Sequence, residues 1–120
     1  MSERKSIIKE KSFAFAVRTV NLYKYLSETK REFVMSKQLL RSGTAIGALV
    51  REAQNAESKA DFIHKLGMAQ KESDETIYWV ELLNETEYLT QTEFENISTD
   101  AIELLKMIRS AIITSKQNNS

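Results

Sequence analysis

The chain has 120 residues, 42% of them hydrophobic and 28% charged, and its 17 basic and 17 acidic side chains leave no net charge. Three glycines and no proline are too few for the turns of a β-sandwich or an α/β domain, so the composition indicates one domain of long helices. The absence of cysteine excludes disulfides, thiolate zinc sites and cysteine nucleophiles, and a single histidine excludes multi-histidine sites.

The first predicted helix spans about residues 3–28 and has two apolar sides. One side has helical spacing and consists of Ile8, Phe15, Leu22 and Leu26, with Ser12 and Thr19 beside them. Nearly opposite lie Phe13, Val17 and Val20. Because two apolar sides need two burial partners, we expect this helix to contact more than its own bundle.

The second predicted helix spans about residues 36–55, with Ser36 as its N-cap. Its inward stripe is Leu39, Gly43, Ile46, Val50 and Ala53, and its outward stripe includes Lys37, Arg41 and Arg51. Gly43 and Gly47 each cost about 1 kcal/mol relative to alanine inside a helix. We therefore expect a neighbouring backbone to approach closely at these glycines.

The third and fourth predicted helices carry the clearest periodicity. The third spans about residues 58–87, with Ser58 and Asp61 at its start and a heptad seam of Phe62, Leu66, Ala69, Ser73, Thr76, Val80 and Leu83. The fourth spans about residues 91–115, opens with a capping box of Thr90 and Glu93, and has a seam of Phe94, Ile97, Ala101, Leu104, Ile108 and Ala111. Together, the four segments predict an all-α, antiparallel up-down-up-down four-helix bundle over residues 1–120.

Nothing in the sequence predicts a signal peptide or a membrane span, because Arg18 interrupts the apolar run 13–17 and no stretch approaches 18 apolar residues. We therefore expect a cytoplasmic protein.

The sequence contains few residue patterns that could form a catalytic site. A di-iron bundle needs two Glu-x-x-His motifs, and the chain has one histidine, His64, three residues after Asp61. Paired carboxylates could perform acid–base chemistry at Glu52, Glu72 and Glu75, but no nucleophile, metal ligand or oxyanion donor accompanies them. A polar network is the favoured interpretation, and we expect no catalytic residue, metal or cofactor.

Charge is divided unevenly along the chain. Residues 1–57 hold 11 basic and 6 acidic side chains (+5), and residues 58–120 hold 6 basic and 11 acidic (−5). The candidate phosphate-binding cations are Lys11, Arg18, Lys37, Arg41 and Arg51. A solvated surface is the alternative interpretation of the same residues.

The third helix also has a second, half-apolar side. The residues that we expect there, in an oligomer interface or a polar network, are Glu52 from the second helix and Met68, Glu72, Glu75, Trp79 and Leu82. One stripe per helix fills a four-helix core, so surplus apolar surface predicts a protein partner, most simply a second copy.

Several segments resemble one family. The run 42–48, Ser-Gly-Thr-Ala-Ile-Gly-Ala, followed by Glu52-Ala53, is similar to its Gly-Thr-Ser-Ile-Gly-Ala-Asn signature, with Leu49 where the signature has Asn. Segments 58–66 and 71–79 resemble its third helix. Over roughly residues 13–112, the chain resembles the four-helix bundle family named after the 23S rRNA intervening sequence protein.

The resemblance implies a four-helix bundle without established enzymatic activity. Some members are encoded within intervening sequences of bacterial 23S rRNA genes, and a related accessory protein of diversity-generating retroelements is a basic, barrel-shaped homopentamer that binds nucleic acid and a reverse transcriptase. We therefore expect a non-enzymatic homo-oligomer, a pentamer by this resemblance, that binds RNA or DNA through the first two helices. The alternative is a protein-interaction module that uses its acidic third helix and binds no nucleic acid.

Overall fold

The computed structural model describes residues 3–118, with side chains from residue 7 onward. Four helices follow one another: α1 (Glu3–Glu28), α2 (Met35–Gln54), α3 (Lys59–Glu85) and α4 (Gln91–Gln117). Each packs against its neighbours in sequence, and α4 returns to α1, within an envelope of 51 × 21 × 20 Å. Residues 3–118 contain no strand, so the predicted all-α bundle is confirmed.

The predicted stripes form the core. The inward side of α2 and the seams of α3 and α4 are buried, with only Phe62 and Phe94 partly exposed. On α1, the buried residues are Ile8, Ser12, Phe15, Thr19 and Leu26. The opposite side of α1 stays uncovered, since Phe13 and Val17 are 55% and 45% exposed. The second apolar side of α1 therefore has no partner within this bundle.

Gly43 and Gly47 lie where α1 and α2 approach closely, but the neighbouring backbone that the sequence predicts is found only at Gly47, whereas Gly43 faces the Thr19 side chain. A Cβ atom built on Gly43 would lie 2.6 Å from Cγ2 of Thr19, and one on Gly47 would lie 3.2 Å from the carbonyl oxygen of Ser12. The first distance is shorter than any normal contact. Side chains at these positions would therefore push α1 away from α2.

The predicted N-cap of α2 is wrong. The helix begins at Met35, and its N-cap, Val34, makes no side-chain cap. Instead, the buried carboxylate of Glu32 accepts hydrogen bonds from the N–H groups of Val34, Met35 and Ser36 at 3.1, 3.0 and 2.7 Å. The Ser36 hydroxyl turns back and donates to the Glu32 carbonyl at 2.7 Å. A carboxylate preceding the helix thus satisfies amide groups at the start of α2, in place of a side chain at the N-cap position.

The other two helix starts follow their sequence signals. Ser58 Oγ accepts the N–H of Asp61 at 3.0 Å, although the Asp61 carboxylate accepts the N–H of Glu57 rather than that of Ser58. Thr90 and Glu93 form the complete reciprocal capping box. Across the four described helices, the charges are too frequent and the hydropathy too low for any of them to span a membrane.

Candidate nucleic-acid interface

The outward side of α2 carries three of the five cations that the sequence singles out. Lys37, Arg41 and Arg51 are all exposed, as expected from their spacing. Their side chains do not run parallel, because Arg41 leans toward α3 and Arg51 leans toward α1. The expected single stripe is therefore split between the two grooves that flank α2.

Arg41 is held in an ionic network on the outside of α2 and α3. Its guanidinium donates to Glu72, at 3.2 Å, and to Glu75. The Trp79 indole N–H also donates to Glu75, at 3.0 Å. The hydrogen bond from Trp79, followed by that from Arg41, lowers the pKa of Glu75, and the hydrogen bond to Glu75 is the main cause that raises the pKa of Arg41. The positive charge of Arg41 is thus largely compensated by two carboxylates of the same chain.

The two candidate cations of α1 are likewise paired. Lys11 forms an ion pair with Glu103 at 2.6 Å, and Arg18 forms one with Asp100 while also donating to Asn96 at 3.3 Å. Both pairs bridge α1 and α4, which pack less closely than the other neighbouring helices. These cations connect two helices rather than standing free for phosphate.

Of the five candidate cations, Lys37 and Arg51 remain without an ion-pair partner among the described residues, and the structure adds Lys24 of α1 to them. All three are exposed, and none has an ion-pair partner among the described residues. The guanidinium carbon of Arg51 lies 5.3 Å from the ring centroid of Phe13. We call Lys24, Lys37 and Arg51 the cationic surface, and it lies along the outside of α1 and α2.

Two cations that the sequence patterns do not single out, Lys30 and Arg31, lie in the connection between α1 and α2. The guanidinium carbon of Arg31 lies 5.1 Å from the ring centroid of Phe33, which is 46% exposed. Lys30 lies 5.9 Å from the ring centroid of Tyr25. Arg31 and Phe33 are two residues apart, so a basic residue beside an aromatic one in a connection was the available signal.

Of the three carboxylates that could suggest acid–base chemistry, Glu72 and Glu75 meet at Arg41, and Glu52 lies apart from them. Glu52 pairs with Lys65 at 3.3 Å, while Glu72 and Glu75 bind Arg41, eleven residues from Glu52 on α2 or about 16 Å along the helix. A cavity of about 520 Å³ lies at the end of the bundle where α2 ends, and Lys59 is its one charged lining residue among those described. No group of three or more metal-ligating side chains occurs within residues 7–118, where side chains are described.

The predicted interface side of α3 is partly uncovered. Met68 and Tyr78, ten residues apart on α3, are 39% and 55% exposed, and Trp79 and Leu82 are partly buried. Tyr78 packs edge-on against Trp79, with ring centroids 5.0 Å apart. The apolar surface of α3 therefore continues from the core out to solvent.

Comparison with known proteins now defines the family. The family model described as 23S rRNA-intervening sequence protein matches residues 4–110. A solved crystal structure of a protein with unknown function from the S23 ribosomal protein family of Bacteroides thetaiotaomicron VPI-5482 is 55% identical, with a TM-score of 0.90 over 91% of this chain and 97% of that chain. No curated protein matches the chain. The chain therefore belongs to the 23S rRNA-intervening sequence protein family.

Proposed function

We propose that the protein is a cytoplasmic, non-enzymatic oligomeric scaffold that binds nucleic acid through its cationic surface. The observation that carries this proposal is that cations without an ion pair are grouped on one side of α1 and α2. Lys11, Arg18 and Arg41 are paired with acidic side chains, whereas the cationic surface keeps its charges exposed along α1 and α2. Unpaired cations on one surface attract phosphates, because their binding releases condensed counterions.

Self-association would strengthen the binding of nucleic acid to this small surface. One chain offers three cations, which are too few for tight binding, and a ring would repeat them without any new contact. Exposed apolar side chains on α3, Met68 and Tyr78, support such an assembly. The related retroelement accessory protein suggests five copies.

The assembly is tested by the mass of the protein in solution. We expect an oligomer at tens of micromolar, where weak interfaces still associate. Met68→Glu with Tyr78→Glu should reduce the mass, because it places charges in the apolar interface. Lys106→Glu with Lys116→Glu, on the exposed side of α4, is the control and should leave the mass unchanged. A monomeric wild-type protein would contradict the scaffold.

Nucleic-acid binding is tested by titration with labelled RNA and DNA across a range of salt concentrations. Affinity should fall steeply with salt and show little sequence preference, because no base-reading motif is present. Lys37→Glu with Arg51→Glu should abolish binding and leave the oligomer intact. The α4 pair of variants changes the total charge by the same amount and should weaken binding far less.

The protein-interaction alternative also has structural support. Pairing of three of the five candidate cations reduces the surface available to a polyanion, while Glu81 and Glu85 of α3 are exposed and unpaired among the described residues. Absence of binding to both RNA and duplex DNA at low salt would favour this alternative.

A further inference from the structure

We propose that the nucleic acid bound by the cationic surface is single-stranded, with bases stacking on two arginine–phenylalanine platforms. This inference rests on the proposed function and specifies its ligand. It starts from Arg51 over Phe13 and Arg31 over Phe33, where a guanidinium lies 5.3 and 5.1 Å from the centroid of a ring that is half exposed.

Each platform combines charge with a flat surface. A guanidinium held over an aromatic ring loses little conformational freedom when a base stacks on it, since cation–π attraction already restrains it. Arginine planes and phenylalanine rings are both surfaces on which unpaired bases stack. Each platform therefore offers a stacking site and a positive charge for the adjoining phosphate.

The first platform and two lysines follow one another along α1 and α2, and the second platform lies in the connection between these helices. Gly43 of α2 lies beside Thr19 of α1, so these two residues mark one level along the helix pair. Lys37 lies six residues from Gly43, and Lys24 lies five residues from Thr19, both about 8–9 Å toward the α1–α2 connection. Phe13 lies six residues from the same level in the other direction, about 9 Å. Arg31 and Phe33 lie in the connection itself. A strand following α1 would thus meet one platform, two lysines and the second platform.

A duplex cannot use these platforms. Its bases are stacked on one another, and only their edges are reached from the grooves. Single strands, in contrast, are bound by combinations of cationic tracks and aromatic rings, with stacking that tolerates any sequence. The spacing of platforms and lysines therefore favours an extended single strand over a double helix.

The experiment compares a single-stranded RNA and a single-stranded DNA with the duplex of the same length, at one salt concentration low enough for binding. Wild-type protein should bind the single strands about tenfold more tightly. Arg51→Lys keeps the charge and removes the planar stack, and Phe13→Leu keeps an apolar side chain and removes the ring. Each should lower single-strand affinity about fivefold or more and change duplex affinity little. Lys106→Gln, on α4, is the control.

Each outcome separates this inference from the proposed function. Equal or tighter binding of the duplex, or single-strand affinity that survives both Arg51→Lys and Phe13→Leu, would overturn the stacking inference and leave nucleic-acid binding in place. If neither single strands nor duplexes bind, the proposed function itself fails. Thermal melting of each variant confirms that the bundle is folded, and quenching of fluorescence from a base analogue in the bound strand reports stacking directly.

Discussion

At position 43, the distance between α1 and α2 depends on the absence of a Cβ atom. Thr19 occupies the space that a side chain would need, with Cγ2 and Oγ1 at 2.6 and 2.7 Å from the Cβ position. Thr19 cannot easily turn away, because it is fully buried, β-branched and bonded through its hydroxyl to the Phe15 carbonyl at 2.8 Å. Gly67, in contrast, has nothing within 4 Å of its Cβ position.

These two glycines make a matched pair for mutation. Gly43→Ala should destabilise the protein by about 1 kcal/mol or more, because overpacking exceeds the gain of about 1 kcal/mol in helix propensity. Gly67→Ala should stabilise it by up to about 1 kcal/mol. Gly47→Leu should cost roughly 1–3 kcal/mol. Urea denaturation gives all three values, and equal midpoints for the first two variants would refute the close-contact argument.

At the scale of the element, α2 depends on a carboxylate outside the helix. Burial by itself would raise the pKa of Glu32, but the hydrogen bonds from Ser36, Met35 and Val34 outweigh it and hold the pKa below its usual value. The charged form is also favoured by its position at the positive end of the α2 dipole. Glu32 therefore fixes both the start of α2 and the path of the connection before it.

Removing this charge should destabilise the protein in a pH-dependent way. Glu32→Gln should cost about 1–2 kcal/mol at neutral pH, as loss of a strong N-cap does. Because folding lowers the pKa of Glu32, the stabilisation that this carboxylate gives is complete above the pKa of Glu32 in the unfolded chain. It is lost as the pH falls through the pKa of Glu32 in the folded protein. Urea denaturation at neutral and acidic pH measures both effects. A difference between wild type and variant that stays constant with pH would contradict this role.

At the scale of the whole molecule, the opposite charges of the two halves meet inside one bundle. The basic helix α1 pairs with α4 through Lys11–Glu103 and Arg18–Asp100, and α2 pairs with α3 through Arg41. The pair Glu52–Lys65 joins α2 and α3 with the charges reversed. The described ion pairs include none between α1 and α2. Part of the charge asymmetry along the sequence thus joins adjacent helices, and the remaining exposed cations have no ion-pair partner among the described residues.

A charge swap tests this role. Arg18→Asp should destabilise the protein by about 1 kcal/mol at low salt, because it faces Asp100 and the pair is partly exposed. Arg18→Asp combined with Asp100→Arg should recover most of the loss, and high salt should shrink both effects. A double variant no more stable than the single one would show that α1 and α4 are held by packing alone.

Much of the architecture was readable from periodicity. The seams of α3 and α4 and the inward side of α2 are buried as predicted, because a heptad spacing leaves little choice of inward side. The capping box at Thr90 was equally readable, since its two residues lie three apart in sequence. The start of α2 was not predicted correctly, because Glu32 caps the helix from three residues before its first residue and Ser36 resembles an N-cap in sequence.

The sequence by itself determined the helices, their inward sides, the close contact at Gly43 and the division of charge between the halves. All of these follow from spacing within one segment, or from the cost of a small residue inside a helix. Tertiary structure alone decided which cations are paired. Arg18 and Arg41 look like Arg51 in sequence, yet the first two face acidic side chains across a helix boundary and the third faces Phe13. Contacts between residues 31 to 92 positions apart depend on how helices pack, and no local spacing encodes them.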